Sequence, residues 1–272
     1  MTKNRQIMPV QALKLFQAVQ SRGLTTFTRA EARGILKITP DYLSVLLHDL
    51  EKTGWVTRLE RGKYMIIPVD AGDAGKWSEH PYIIASRIVE PYAIAYWSAL
   101  SHWGYTEQLL KTTFVLTTRR RFKMKKEIMG QTYLFVCVPE RKFFGISQAW
   151  IGSSRIIVTD REKTLVDCLD RPKYCGGLIE VSKALRQAFE EKQVSAEKLL
   201  SYAKRVGNKA VFKRLGYLAE VLKLDAPGIE KKCLKKISKG YSKLDPSLPA
   251  KGKYNSKWNL IENVGISELA AD

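Results

Sequence analysis

The stretch that decides the fold is residues 39–67, TPDYLSVLLHDLEKTGWVTRLERGKYMII. Thr39 is a good N-cap, and Pro40 suits the first helical position because its missing N–H would have no partner there. Gly54 is a typical residue to end the helix. The leucines recur at helical spacing, which predicts one buried face. They are Leu43, Leu46, Leu47 and Leu50. The pattern therefore predicts an amphipathic helix that runs to about Thr53.

The second half of this stretch predicts a β-hairpin. Two strand-like runs, WVTRLE and KYMII, are joined by Arg61 and Gly62. In the first run, apolar residues alternate with polar ones, as in a strand with one buried face. The expected tip is basic, because Arg58, Arg61 and Lys63 lie at or beside the turn.

Two further helices precede this stretch. Residues 9–21 predict a helix with Val10, Leu13, Phe16 and Ala18 or Val19 near one face, ended by Gly23. TRAEARGIL begins with Thr28 and carries a glutamate three residues later, which is a capping box. A helix, two capped helices separated by a short turn, and a basic hairpin are the order of a winged helix-turn-helix. We predict this domain over residues 1–70.

In such a fold the second capped helix enters the major groove of DNA and the hairpin reaches flanking phosphates. The face opposite the leucines would therefore contact DNA. Candidates for base edges are Tyr42, Val45 and His48, with Asp41 at the helix start; candidates for phosphate are Thr39, Ser44 and Lys52; candidates for backbone or minor groove are Arg58, Arg61 and Lys63. Val45 is small and apolar and suits a thymine methyl. The alternative is a winged helix used for protein contacts.

Composition favours a polyanionic partner. The chain has 272 residues and a formal net charge of +19, which suits nucleic acid or an anionic surface. The four cysteines form no CxxC pair and the three histidines lie far apart, so we expect no metal site and no cofactor. The N-terminus lacks an apolar signal core, and the most apolar stretch contains Arg87, Glu90 and Pro91. We expect a cytoplasmic protein without a membrane span.

The rest of the chain predicts a larger domain of helices and strands. DAGDAG, within residues 70–75, has linker composition, so we place a linker at 71–76 and a second domain at 77–272. TTFVLTT, TYLFVCVP and RIIVT have strand patterns, and YAIAYWSALSHWG that of a buried helix ended by Gly104. The fold class is thus α+β, with an N-terminal winged helix-turn-helix and a mixed α/β C-terminal domain. The chain closes in a polar loop and a tryptophan-bearing strand.

A dense basic run lies within the second domain. Its members are Arg119, Arg120, Arg121, Lys123, Lys125 and Lys126. One interpretation is a second strip that binds phosphates. The other is an edge strand whose charges prevent association with another strand.

Carboxylates in VTDREKTLVDCLDRP suggest two different roles. Thr159 and Glu162 have the spacing of a third capping box. Asp160, Glu162, Asp167 and Asp170 have ligand chemistry for a metal, but a cap and a solvated helix face explain them more simply. Glu140-x-Lys142 is a common tripeptide, and no glycine-rich phosphate loop or hydrolase motif is present. We therefore expect no catalytic residue; the alternative is a metal-dependent nuclease or nucleotidyl-transferring enzyme with a DNA-binding head.

Four segments together resemble the AbiEi-type antitoxins, regulators of abortive-infection (viral defence) toxin–antitoxin systems. They are LLHDLEKTGWVTRLERGKYMI, YWSALSHWG, VTDREKTLVDCLDRPKYCGG and LDPSLPAKGKYNSKWNLIENV. The resemblance covers most of the chain. It implies a repressor that binds inverted repeats in its own promoter, with cooperative binding or a homodimer on DNA. It also implies a nucleotidyltransferase-like toxin as functional partner, with or without direct contact, and a C-terminal domain needed for antitoxicity.

Overall fold

The computed structural model describes residues 8–68, 79–120, 124–152 and 154–270. It divides into two units, residues 1–88 and 89–272. The boundary between the units lies after Ile88, whereas the sequence placed the start of the second domain at residue 77. The helix that ends at Ile88 therefore belongs to the first unit. The predicted linker, 71–76, lies outside the described residues. The chain is mixed α+β, as the sequence predicted.

The first unit packs helices on a small antiparallel sheet. Its elements are α1 (Val10–Gln20), β1 (Thr26–Thr28), α2 (Arg29–Leu36), α3 (Pro40–Lys52), β2 (Val56–Glu60), β3 (Lys63–Ile66) and α4 (Pro81–Ile88). The sheet order is β1-β3-β2, with β3 in the centre. Phe27 of β1 stacks on Tyr64 of β3, with ring centroids 5.7 Å apart. The predicted hairpin is confirmed, with an irregularity between Arg58 and Glu60.

The predicted helix starts in this unit are confirmed. The Thr28 side chain accepts a hydrogen bond from the Glu31 backbone N–H, and Glu31 accepts one in return from the Thr28 N–H. Thr39 caps α3 by accepting from the Tyr42 N–H, and Pro40 is the first helical residue. The four leucines of α3 are buried.

The predicted face of α1 was wrong at its first two positions. Val10 is 81% exposed and Leu13 is 49% exposed. The buried residues of α1 are Ala12, Leu15, Phe16 and Val19. The predicted and observed sets both have near-helical spacing and share Phe16 and Val19. The set that contains Ala12 and Leu15 fits the 3, 4, 7 spacing of a buried stripe.

The second unit combines a mixed six-stranded sheet with a helical layer. Its elements are β4 (Ala93–Ile94), α5 (Tyr96–His102), β5 (Thr112–Thr117), β6 (Lys125–Ile128), β7 (Gln131–Cys137), β8 (Ile146–Ile151), β9 (Ser154–Thr159), α6 (Arg161–Asp170), α7 (Leu178–Glu190), α8 (Ala196–Val206), α9 (Lys209–Val221), α10 (Ile229–Leu234), β10 (Ser242–Lys243), β11 (Lys253–Asn255), β12 (Leu260–Glu262) and α11 (Ile266–Ala270). The large sheet has the order β6-β7-β5-β4-β9-β8. The three predicted strands are β5, β7 and β9. The predicted helix around YWSAL is shorter than expected, since Ala93–Ile94 is a strand.

A second, three-stranded sheet lies at the C-terminal end, with the order β10-β12-β11. Trp258 was predicted to lie on a strand; it precedes β12 and is fully buried. Its indole packs against Gly216 of α9, where an added Cβ would meet the ring at 2.1 Å. Its Nε1 donates to the Glu220 carboxylate at 2.6 Å. These contacts attach the small sheet to α9.

Candidate nucleic-acid interface

The outward face of α3 presents the side chains that the sequence proposed as base readers. Tyr42 is 49% exposed and Val45 is 57% exposed, although both are large hydrophobic residues. Asp41, His48 and Lys52 are exposed on the same helix, opposite the buried leucines. A helix with one fully buried stripe and one exposed mixed face can enter a groove without disturbing its own core.

Ser44 and Thr39 have internal partners at the start of α3. Thr39 is the N-cap and is exposed. The Ser44 hydroxyl donates to the Pro40 carbonyl at 2.7 Å and accepts from the Arg29 guanidinium. Since the single hydroxyl proton of Ser44 is already donated, Ser44 offers less to a phosphate than the sequence suggested.

Arg29 is a residue that sequence reasoning missed. Its side chain donates to the Pro40 carbonyl at 2.9 Å and to the Ser44 hydroxyl, so it joins α2 to the first turn of α3. Its backbone N–H donates to the Gly62 carbonyl at 2.8 Å, which joins α2 to the hairpin turn. Arg29 remains exposed. One residue thus brings a positive charge to the point where α2, α3 and the hairpin meet.

Two more cations follow Arg29. Arg33 is four residues later on α2, and Lys37 is the C-cap of that helix, in the left-handed conformation; both are exposed. A spacing of four places Arg29 and Arg33 on one side of the helix. The spacing of Arg29 and Arg33 is visible in the sequence TRAEARGIL.

The hairpin cations differ in their surroundings. Arg61 is exposed at the turn, next to Gly62, whose φ of 76° suits a residue without a side chain. Arg58 is exposed, and its Nε donates to the Glu60 carbonyl at 3.3 Å. The Lys63 ammonium is half-buried and donates to the Arg87 and Ile88 carbonyls, at 3.4 and 3.3 Å. Lys63 thus ties the start of β3, beside the hairpin turn, to the end of α4, where a cation is also favoured by the helix dipole.

The predicted second basic strip is only partly described. Arg119 and Arg120 are exposed, and Lys125 and Lys126 lie on β6. Arg121 and Lys123 lie outside the described residues. β6 is an edge strand of its sheet. This position fits charges that discourage association with another strand.

The carboxylates of α6 are engaged inside the protein. The predicted Thr159–Glu162 capping box was wrong: Asp160 is the N-cap and accepts from the Lys163 N–H at 2.8 Å. Glu162 instead accepts from the Ser195 N–H at 3.1 Å and from the Lys198 ammonium at 2.9 Å. Burial raises the pKa of Glu162, but these bonds outweigh it and hold the pKa below its usual value.

The predicted solvated face of α6 was also wrong. Asp167 is buried and forms an ion pair with Lys163, one turn earlier on the same helix. Asp170 accepts from Lys142 at 2.7 Å and from the Asn208 amide at 2.6 Å. Burial raises the pKa of Asp167, more strongly than Lys163 lowers it. Across the part of the chain that the structure describes, no cluster of three or more His, Cys, Asp or Glu suits a metal ion.

Comparison with known proteins connects the first unit to a family. Residues 15–67 match the model of a family described as "Transcriptional regulator, AbiEi antitoxin". This confirms the resemblance seen in the sequence, over the segment that contains α2, α3 and the hairpin. No curated protein matches the chain.

The crystal structure of the RV2827C protein from Mycobacterium tuberculosis has a similar fold. The TM-score is 0.68 at 15% sequence identity, over 98% of this chain and 96% of that one. At this identity the likeness shows the fold alone. Within the described ranges, no helix has the length and hydropathy to cross a bilayer.

Proposed function

We propose that the first unit is a winged helix-turn-helix and that the chain is a sequence-specific DNA-binding transcriptional repressor. The observation that carries the proposal is the outward face of α3. The hydrophobic residues Tyr42 and Val45 are exposed on this face, although the same helix buries all four of its leucines. The element order, the sheet order β1-β3-β2 and the family match over residues 15–67 support it.

In this proposal α3 lies in the major groove. Tyr42, Val45 and His48 contact base edges, and Val45 meets a thymine methyl. Arg29, with Arg33 and Lys37, contacts the backbone that α2 crosses. Arg58 and Arg61 reach the flanking backbone from the wing, whereas Lys63 anchors the wing to α4. The contacts to phosphate supply affinity and those of α3 supply specificity.

We further propose that the repressor is the autoregulating antitoxin of an abortive-infection operon. The family description names an antitoxin, which supports this role. The operator would be inverted repeats upstream of its own gene, bound cooperatively or by a homodimer. A nucleotidyltransferase-like toxin would be the functional partner. The carboxylates of α6 have structural roles in this proposal and catalyse nothing, because each already has partners within the protein.

A gel-shift titration on DNA from just upstream of the gene tests the proposal. We expect binding at least about a thousandfold tighter than to shuffled DNA of equal length, the usual margin of specific recognition. Tyr42→Ala should reduce that margin. Leu13→Ala is a matched control, since Leu13 is also 49% exposed but lies on α1. Equal affinity for both DNAs would reject the proposal.

A further inference from the structure

The small C-terminal sheet exposes a pair of tyrosines. Tyr241 is 46% exposed and Tyr254 is 68% exposed. Their rings contact edge to face, with centroids 4.9 Å apart and an interplanar angle of 82°. Two large aromatic side chains left this accessible, and in contact with each other, form an apolar platform on the surface.

The register of the sheet places both rings on its outward face. Lys243 of β10 and Tyr254 of β11 are both paired with Ile261 of the central strand, so their side chains share one face. Tyr241 precedes Lys243 by two residues and therefore lies on that face as well. The alternate residues, among them Leu260, face the core. The two rings thus approach each other across the central strand.

Lysines surround this pair along both segments that carry it. Lys239 precedes Tyr241 by two residues, and Lys251 precedes Tyr254 by three; both lysines are exposed. Lys253, next to Tyr254 on β11, points to the other face of the sheet and is paired with Glu262 of β12. Of the residues that the structure describes, none forms an ion pair with Lys239 or Lys251. The nearby Asp245 is buried and accepts from the Leu178 N–H at 2.8 Å. The platform therefore has an excess of positive charge at its border.

The platform is held from below by α9. The buried Lys213 ammonium donates to the Gly240 carbonyl, to the Ser242 hydroxyl at 3.3 Å and to the Asn259 carbonyl at 3.3 Å. These acceptors lie next to Tyr241 and at the entry to β12. Burial, with a smaller effect from Arg214, lowers the pKa of Lys213. Trp258 and its contact with Gly216 fix the other end of the sheet. The backbone that carries the rings is thus fixed before any ligand binds.

We propose that Tyr241 and Tyr254, with Lys239 and Lys251, form a binding site for single-stranded nucleic acid. Aromatic rings stack on unpaired bases of any sequence, and lysines beside them neutralise the phosphates. In a duplex the base faces are already stacked within the helix, so they are not available to these rings. The site is distinct in chemistry from the α3 surface, which reads base edges of a duplex.

The test measures fluorescence anisotropy of the full-length protein with a labelled mixed-sequence strand of about 20 nucleotides, a few times the footprint of a small stacking site. The same strand annealed to its complement is the comparison. Tyr254→Ala should weaken binding to the single strand about tenfold, with duplex binding within about twofold. Tyr254→Phe keeps the ring and should match the wild type. The Tyr241 pair of variants should behave likewise.

Two results would overturn the proposal. One is unchanged single-strand affinity in Tyr254→Ala and Tyr241→Ala. The other is an equal loss for strand and duplex, which would mean that the surface contacts phosphates alone. Unchanged thermal unfolding midpoints check that the variants fold, as expected for exposed side chains. An RNA strand of the same sequence decides which nucleic acid binds more tightly.

Tyr42→Ala separates this site from the proposed function. It should weaken operator duplex binding and leave single-strand binding unchanged, the reverse of Tyr254→Ala. If the operator titration fails while Tyr254→Ala still loses the single strand, the repressor proposal falls and the platform stands. If Tyr42→Ala leaves binding to the operator duplex unchanged and Tyr254→Ala leaves binding to the single strand unchanged, both proposals fall.

Discussion

Helices α3 and α6 begin alike and end differently. Each starts with an oxygen cap, from Thr39 in α3 and Asp160 in α6. α3 then buries one leucine stripe and exposes its polar residues. α6 is buried continuously from Glu162 to Leu169, charged residues included. In α3 the polar side chains other than Ser44 remain available to a partner outside the chain, and in α6 they bind partners inside it.

The difference shows what a charged residue on a helix means. A charged side chain can bind an external partner only where no residue of the same protein already neutralises it. Lys163 and Asp167 satisfy each other within one helix, and Glu162 and Asp170 are satisfied by segments far along the chain. Such networks cost desolvation and stabilise a unique arrangement only when every member is paired.

Breaking the buried pair is the largest effect that we predict. Asp167→Ala leaves the Lys163 ammonium buried without its carboxylate, so the free energy of unfolding should fall by about 3–5 kcal/mol. Denaturant titration measures it. The double variant Lys163→Met with Asp167→Leu removes both charges and should lose far less. If Asp167→Ala lowered the free energy of unfolding by less than about 1 kcal/mol, the Lys163–Asp167 pair would be exposed to solvent, as the charged residues of α3 are.

A smaller effect concerns acid stability of the α6 network. The pKa of Glu162 is lower in the folded protein, so its stabilisation is present above the unfolded pKa and is lost as pH falls through the folded pKa. Glu162→Gln should cost about 1 kcal/mol at neutral pH, because its partner Lys198 is 41% exposed and partly screened. The variant should lose less stability on acidification than the wild type. Parallel pH profiles of unfolding would contradict this assignment.

On α3, a substitution should alter recognition and leave stability unchanged. Val45→Ser removes the apolar group proposed to meet a thymine methyl, so discrimination at one operator position should fall by about 1 kcal/mol. Selection from a randomised operator measures it. The unfolding midpoint should not change, since Val45 is exposed. An unchanged base preference would remove Val45 from the recognition surface.

The smallest predicted effect is at the hairpin tip. Arg61→Ala should weaken specific and random DNA equally and reduce the slope of log affinity against log salt by about 0.9, the value for one phosphate. Lys63→Met is the contrasting variant. Because Lys63 holds the end of α4, it should lower stability more than it alters the salt slope. If Lys63→Met instead reduced the slope of log affinity against log salt by about 0.9, Lys63 would be a phosphate contact and not an anchor of α4.

Local patterns predicted α3 and the hairpin well, because their caps, leucines and turn lie within one short segment. They misplaced the first half of the buried face of α1, because Phe16 and Val19 belong to both possible stripes. They also misread α6, whose charges are satisfied by Ser195, Lys198 and Asn208, residues that no local window contains.

The same limit applies to the surfaces. Tyr42 and Val45 were readable as outward-facing from helical spacing alone. Arg29 was missed because its importance arises from contacts with Pro40, Ser44 and Gly62, which only the folded chain brings together. The Tyr241–Tyr254 pair was missed for the same reason, since a third strand lies between the segments that carry them.

Gly216 has a consequence for genetics. The Trp258 indole occupies the space where any side chain at position 216 would begin. Even Gly216→Ala must therefore displace the ring and the sheet attached to it. A screen for loss of the proposed repression should recover substitutions at this buried position alongside those on α3. Their protein levels in the cell, rather than their DNA affinities, would tell the two classes of allele apart.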